Sequence, residues 1–150
     1  MNKDDDIVRY WVGVVSENHV RAAEQAGFAQ VCHGKRVPLS RMKGGDWLVY
    51  YSPKTIYPEG APLQSFTAIA RVKDGIVYQV EISPGFIPNR INVDYVQTRN
   101  VKLCLLKERL HFCKENPRLG LLFRRGHFEI DKDDFQLISD AMVVGDAIRL

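Results

Sequence analysis

The apolar positions of this chain fall in short runs rich in β-branched and aromatic residues, a pattern typical of strands. The clearest runs are "YWVGVVS" at residues 10–16 and "DWLVYY" at residues 46–51. Two further runs, residues 66–72 and 76–82, flank the turn sequence "KDG", and this arrangement predicts a β-hairpin. Shorter strands are predicted over residues 28–32 and 90–97.

Helical periodicity is strongest near the two ends of the chain. In residues 17–26 a narrow apolar stripe predicts a short helix, with Ser16 as its N-cap and Gly27 as its stop. The last predicted helix begins at residue 131 or 132, and its buried face holds Phe135, Ile138 and Met142.

The middle and late segments are less regular. We predict one helical turn at residues 38–42, a helix over residues 103–112, and a strand with an internal turn at Gly126 in "LLFRRGHFEI". Proline and glycine mark loops at residues 53–62 and in "SPGFIPN". A twisted sheet or small barrel capped by a few helices, an α+β protein, fits this order best.

Composition narrows the class of protein. Hydrophobic residues make up 45% and charged residues 26% of the 150, which is ordinary for one soluble domain. We expect a single domain over residues 9–150, preceded by a short disordered tail at residues 1–8 whose polar start is no secretory signal. An odd count of three cysteines without a CxxC pair favours the reducing cytoplasm over a disulfide framework.

Charge adds one local feature to this picture. The net charge of +3 is modest, but five basic residues against one acid lie between positions 35 and 54. Such a patch fits a polyanion, although a solvated loop or a protein-docking surface would carry the same charges. The basic residues are Lys35, Arg36, Arg41, Lys43 and Lys54.

Several kinds of chemistry lack their sequence signatures. The cysteines and histidines do not form two compact pairs at zinc-site spacings, so we expect no metal or other cofactor. "CHGK" and "MKGGD" have neither Walker nor G-x-G-x-x-G spacing. Cys32 and His33 are neighbours that would point to opposite faces of a strand, and no G-x-S-x-G is present, so we expect no enzyme.

A binding pocket remains as the hypothesis that the residue types allow. The segments around His33-Gly34-Lys35 and Ser52-Pro53-Lys54 combine aromatic neighbours, hydrogen-bonding groups and lysines. Aromatic faces for stacking, polar groups for a base edge and cations for phosphates are what a flipped-out nucleobase requires. At least half of the aromatic residues in the strand over residues 47–52 must nevertheless face the core, because side chains alternate along a strand.

Three segments resemble the EVE domain, a small member of the PUA-like superfamily. They are "YWVGVVSENHV", "GFAQVCHGKRVPLSRMKGGDWLVYYSPK" and "FRRGHFEIDKDDF", and the resemblance continues through "FTAIARV" to cover nearly the whole chain. It implies a PUA-like pseudobarrel, a curved and mostly antiparallel sheet capped by helices. It also implies kinship with YTH domains, which hold a methylated adenine in an aromatic cage, and with ASCH domains.

The resemblance implies a function as well. We expect a non-catalytic, monomeric protein that recognises a modified nucleobase in DNA or RNA, with no membrane partner; the alternative is a nucleoside or metabolite binder, or an enzyme, that uses the same pocket. The sequence has Phe28-Ala29 where YTH domains and some EVE members place a tryptophan. Either Phe28 or another aromatic residue takes its place, or Gln30 and His33 make the pocket more polar and alter the preferred base. The residues expected to contact the ligand are Asn18, Phe28, Gln30, His33, Gly34, Lys35, Tyr51, Ser52, Pro53, Lys54, Phe86 and Arg90.

Overall fold

The computed structural model of the protein describes residues 7–150. Most of the disordered tail predicted at residues 1–8 therefore lies outside the described residues. The strands are β1 (Tyr10–Val14), β2 (Phe28–Ala29), β3 (Trp47–Lys54), β4 (Pro62–Val72), β5 (Tyr78–Gln79), β6 (Asn89–Val96), β7 (Val101–Lys102) and β8 (His127–Ile130). The α-helices are α1 (Glu17–Ala26), α2 (Arg36–Ser40), α3 (Leu103–Leu106), α4 (His111–Glu115), α5 (Leu119–Phe123) and α6 (Lys132–Met142).

The strands form one strongly curled sheet in the order β2-β6-β4-β3-β1-β8, with β5 added to β6 and β7 added to β4. Only the β1–β3 pair is parallel among the described strand pairs, with Trp11 opposite Leu48. The other named pairs are antiparallel. The predicted α+β fold, a curved and mostly antiparallel sheet capped by helices, is confirmed.

The central strand β3 is apolar on both faces because both faces are covered. Trp47, Val49 and Tyr51 belong to one buried cluster, which we call the first core. Leu48 and Tyr50 point the other way into the second core. The period of two along a strand thus explains why "WLVYY" is an uninterrupted apolar run.

Different elements close the two cores. Residues of α3 to α6 fill the first core, among them Leu106, Phe112 and Phe135. The second core lies inside the curl of the sheet, where Ile91 of β6 meets Trp11 of β1, and α1 adds Val20. None of the described helices combines the length and apolar character that crossing a bilayer requires.

Helix α1 begins and ends where the sequence predicts. Gly27 adopts a left-handed conformation, with φ of 76°, and its amide bonds the Ala23 carbonyl. Ser16 has the extended backbone of an N-cap, but its hydroxyl bonds Asn18 Oδ1 at 2.8 Å rather than a helix amide. Helix α6 is also confirmed, with Phe135, Ile138 and Met142 buried.

The predicted hairpin around "KDG" is wrong. Strand β4 pairs with β6 and not with the segment that follows Gly75, of which only Tyr78–Gln79 is a strand. That short strand pairs with the start of β6, so the hairpin turn lies at Ser83–Phe86, in a segment predicted as a loop. A local turn signal does not determine which strand supplies the partner, because pairing is decided by long-range burial.

Two predictions in the C-terminal third also differ from the structure. The helix expected over residues 103–112 is broken into α3, a 3-10 turn at Lys107–Arg109 and α4, and Leu110 inserts into the core between them. The apolar "LLF" expected in a strand is helical, because α5 uses Leu122 and Phe123 to cover the first core. Short apolar runs do not distinguish a buried strand from a buried helix.

Candidate functional site

A tight turn follows the short strand β2 and carries the most unusual backbone in the described chain. Cys32, His33 and Gly34 adopt positive φ angles of 50°, 57° and 86° in succession. For residues other than glycine this left-handed conformation costs about 1–2 kcal/mol each. We call residues 32–34 the His33 turn; the exposed His33 ring lies at its centre.

The surrounding structure holds this turn in place. A Cβ atom at Gly34 would lie 2.4 Å from Pro88 Cβ, so only glycine lets the backbone approach so closely. The Asn89 side-chain amide donates to the Gly34 carbonyl at 3.0 Å. The other side-chain atom, Asn89 Oδ1, is buried and has no hydrogen-bond partner among residues 7–150. An unpaired acceptor therefore lies at the base of the turn.

The loop between β3 and β4, residues 55–61, lies on one side of the His33 turn. The Tyr57 and His33 rings are tilted by 57° with centroids 5.4 Å apart. The Asn18 amide donates to the Thr55 carbonyl at 2.9 Å, and the Lys54 ammonium donates to the Pro58 carbonyl at 2.6 Å. The structure thus brings the predicted residues Asn18, His33 and Lys54 together around this loop.

The first residues of β6 lie on the other side of the turn. The Arg90 guanidinium carbon is 3.7 Å from the centre of the Phe28 ring, and Arg90 Nε donates to Gln30 Oε1 at 3.1 Å. The three predicted residues are therefore in mutual contact, but one face of the Phe28 ring is already covered. Tyr50 lies beneath them: its hydroxyl bonds the Gln30 backbone, and burial raises its pKa to about 12.

Three other predicted residues are less accessible. Tyr51 is buried in the first core, where it stacks on Phe123 with centroids 4.3 Å apart. Ser52 is buried and shares a hydrogen bond of 2.8 Å with the hydroxyl of Thr67. Pro53 is half-buried. The structure does not bring Tyr51 or Ser52 onto the surface formed around the His33 turn.

Lys35 and Phe86 complete the predicted set and are both exposed. Lys35 directly follows Gly34, and Phe86 lies at the turn of the β5–β6 hairpin. Not every cation of the predicted basic patch is free, because Lys43 bonds the buried Asp46 and the carbonyl of Ile7.

Sequence reasoning missed two features of this surface. Tyr57 was assigned to a proline-rich loop without a role, although an exposed aromatic residue in such a loop is a binding signal. The α5–β8 turn also adjoins the His33 turn, since Cys32 Sγ lies 3.5 Å from the Arg125 carbonyl oxygen. This turn contains two exposed arginines, Arg124 and Arg125. The sequence analysis assigns both to a strand and therefore does not include them in the candidate site.

A cluster of three polar side chains, His111, Asp131 and Asp134, has a structural explanation. Asp131 caps α6 by accepting from the Asp134 amide, and Asp134 accepts from the amides of His111 and Phe112 at the start of α4. His111 Nδ1 lies 2.7 Å from Asp131, and this contact raises the pKa of the imidazole. The three side chains lie close enough together to bind a metal ion. The two carboxylates, however, already accept hydrogen bonds from amides at the starts of α4 and α6.

The remaining histidine of interest is buried. His127 stacks on Trp11, with centroids 4.8 Å apart and planes 8° apart. Neither ring nitrogen has a hydrogen-bond partner among the described residues, and burial lowers the pKa of the imidazole to about 4. His127 is therefore neutral near pH 7.

Two surface depressions lie beside helices α4 to α6. One, of about 380 Å³, is bounded by α4 and α5 and includes Arg118 and Leu121. Another, of about 320 Å³, includes Phe112 and Asp131. Neither contains any of the twelve predicted contact residues.

Comparison with known proteins identifies the family. The EVE domain family model matches residues 9–141. The chain is 53% identical over 135 residues to the UPF0310 protein YdcG of Bacillus subtilis, covering 90% of this chain and 92% of that one. It is 46% identical over 139 residues to a UPF0310 protein of Streptococcus mutans, covering 91% and 98%.

Solved structures agree at the level of the fold. A hypothetical protein from Leishmania major superposes with a TM-score of 0.57 at 14% identity, covering 87% of this chain and 91% of that one. Rpa0253 from Rhodopseudomonas palustris superposes with a TM-score of 0.51 at 21% identity, covering 87% and 90%. With the family model matched over most of its length, this chain belongs to the EVE domain family.

Proposed function

We propose that this protein is a non-catalytic binding module that recognises a modified nucleobase in DNA or RNA at the His33 turn. Membership of the EVE family supports a binding role, because the resemblance to this family implies recognition of a modified base. The surface supports it independently, through the residue types that it presents and the way in which they are held.

The observation that carries the proposal is the strained His33 turn itself. Cys32 and His33, two non-glycine residues, lie in the left-handed region, and Pro88 and Asn89 contact the glycine that follows them. Strained backbone of this kind clusters at ligand sites. Its effect here is to present the His33 ring to solvent beside the Tyr57 ring, where one can stack on a base and the other can bond its edge.

Cations around the turn suit a phosphate backbone. Lys35 and Arg36 are exposed directly after Gly34, and Lys54 lies at the end of β3. Arg124 and Arg125 are exposed in the α5–β8 turn, whose backbone contacts Cys32. Contacts of these side chains with phosphates would release counterions, so affinity should fall steeply as salt rises.

The state of Cys32 argues for binding over catalysis. Its thiol is half-buried, and burial raises its pKa, which disfavours the thiolate that a nucleophile needs. The adjacent His33 has its ring turned towards Tyr57. The alternative function, binding or conversion of a free nucleoside or metabolite on the same surface, would use the same His33 and Tyr57 side chains.

The test separates base recognition from phosphate binding. We expect His33→Ala and Tyr57→Ala to lower affinity for a preferred modified strand by about fivefold or more, the loss of one stacking or edge contact, and to abolish the preference over the plain strand. Lys35→Glu should weaken both strands alike. Leu105→Ala, an exposed apolar position on α3, is the matched control and should change neither.

The alternative is tested by native mass spectrometry of the purified protein. A co-purifying nucleoside or metabolite that is lost in His33→Ala would favour the small-molecule function. Retained oligonucleotide would favour recognition of a base within a strand. If the wild-type protein binds no modified or plain strand at low salt, the proposed function is wrong.

A further inference from the structure

The β5–β6 hairpin is the most exposed apolar projection near the His33 turn. Tyr78 pairs with Arg90 and Gln79 with Asn89, and the ladder continues through a bond from the Val80 amide to the Pro88 carbonyl. The Phe86 amide bonds the Ser83 carbonyl at 2.9 Å and closes a four-residue turn. Pro84 and Gly85, with φ of 82° at the glycine, suit the two central positions of a type II turn. The segment is thus an ordered arm.

The tip of this hairpin is apolar although it faces solvent. Ile82, Phe86 and Ile87 are 51%, 44% and 48% exposed, and we call these three residues the hairpin tip. They lie outside both cores. Ordered apolar side chains clustered in solvent mark a surface that another molecule covers.

The base of the hairpin is fixed to the proposed base-binding turn. Pro88 contacts Gly34 so closely that no Cβ fits between them, and Asn89 bonds the Gly34 carbonyl. Arg90 continues the connection by bonding Gln30. These contacts attach the base of the hairpin directly to the His33 turn.

We propose that the hairpin tip inserts between stacked bases of double-stranded DNA, next to the nucleotide bound at the His33 turn. This inference rests on the proposed function and specifies its substrate as a duplex. A base can reach a protein pocket from a duplex only by leaving the stack, and this costs unstacking energy. Apolar wedges that enter a base step offset that cost by filling the gap, and Phe and Ile are typical of them.

Charge around the hairpin suits a DNA duplex. The segment 78–90 contains one acid, Glu81, and one base, Arg90, so the tip itself is nearly neutral. The exposed cations Lys35 and Arg36 lie beside its base, since α2 packs against β6. A neutral apolar tip with cations set back from it matches a base stack flanked by phosphates.

The experiment compares a duplex with its own single strand. The probes are short DNAs carrying one N6-methyladenine or one 5-methylcytosine, or neither, with 2-aminopurine beside that position to report unstacking. The test variant is Phe86→Ser with Ile87→Ser. Leu105→Ser, at an exposed apolar position on α3, is the control, and melting temperatures check that both variants fold.

We expect the double variant to lose about tenfold or more in duplex affinity and to abolish the rise in 2-aminopurine fluorescence, because the wedge no longer fills the step. Its affinity for the single strand should stay within about twofold of wild type, since no gap forms there. Equal losses on both substrates, unchanged duplex affinity or no fluorescence rise with wild type would each overturn the wedge. If the wedge is overturned but single-strand binding still depends on His33, the proposed function stands. If the protein binds neither substrate, the wedge and the proposed function are both wrong.

Discussion

The buried histidine His127 should make the protein sensitive to acid in a defined pH interval. The residue is only 2% exposed, lies flat against Trp11 and has no hydrogen-bond partner for either ring nitrogen among residues 7–150. Burial lowers its pKa from 6.5 to about 4 in the folded protein, and the positive charge of Arg41 acts in the same direction. Protonation therefore favours the unfolded chain.

The size and sign of the effect follow from these two pKa values. Above pH 6.5 the imidazole is neutral in both states and stability does not depend on it. As the pH falls from 6.5 to about 4, the unfolded chain binds the proton first, and each pH unit in this interval lowers the free energy of unfolding by about 1.4 kcal/mol. The total loss is about 3 kcal/mol and is complete once the pH has passed below the folded-state pKa.

Urea denaturation followed by tryptophan fluorescence, from pH 7.5 to pH 4, measures this dependence. The informative variant is His127→Phe, which keeps an aromatic ring beside Trp11 but cannot titrate. Between pH 7.5 and pH 4 the free energy of unfolding should fall for both proteins. The fall should be about 3 kcal/mol smaller for His127→Phe than for wild type. Phe128→Leu, on the opposite face of β8, should lower stability by about 1 kcal/mol at every pH and keep the wild-type slope. Identical slopes for wild type and His127→Phe would refute the reasoning.

Substitutions in the His33 turn and at the cap of α4 give three further predictions, each measured by urea denaturation. Gly34→Ala adds a Cβ against Pro88 at a φ of 86°, and should lower stability by about 2–4 kcal/mol; a drop below 1 would mean that the turn relaxes freely. His33→Val should lower stability by about 2 kcal/mol, because a β-branched residue resists the left-handed conformation. His33→Gly should change stability by less than about 1 kcal/mol. Equal losses for the two variants would mean that the backbone at His33 is not strained. Asp134→Ala leaves two amides of α4 without their acceptor and should cost about 2 kcal/mol or more, while Asp133→Ala, exposed on the same turn, should cost under about 0.5; similar values would remove the capping role.

The elements that sequence predicts well are those whose signals are local. Helix α1 has an apolar stripe and a left-handed glycine at its end, and both act within a few residues. The strand β3 is unusual because its run of buried residues is continuous, which identifies it whichever partner it finds. Local signals do not show which strands pair. The turn sequence "KDG" predicts a hairpin, whereas β4 pairs with the more distant strand β6.

The candidate site was predictable in its chemistry but not in its geometry. Gly34 after a predicted strand indicates the turn at His33, and the basic residues that follow it in the sequence indicate the nearby cations. Burial of Tyr51 does not follow from the sequence, because the helices that cover this face of β3, and the stacking on Phe123, arise only in the folded chain. The cover that Arg90 gives to Phe28, and the approach of Tyr57 to His33, likewise depend on loops that are distant in sequence.

The central claim is that the His33 turn binds a modified base within a nucleic-acid strand. Fluorescence titration of the wild-type protein at low salt, against matched DNA and RNA strands that differ in one modified base, tests it most directly. The account predicts that at least one modified strand binds more tightly than its plain counterpart, and that His33→Ala removes this difference while the plain strand binds as before. Equal affinity for every modified and plain strand, or no binding at all, would contradict it.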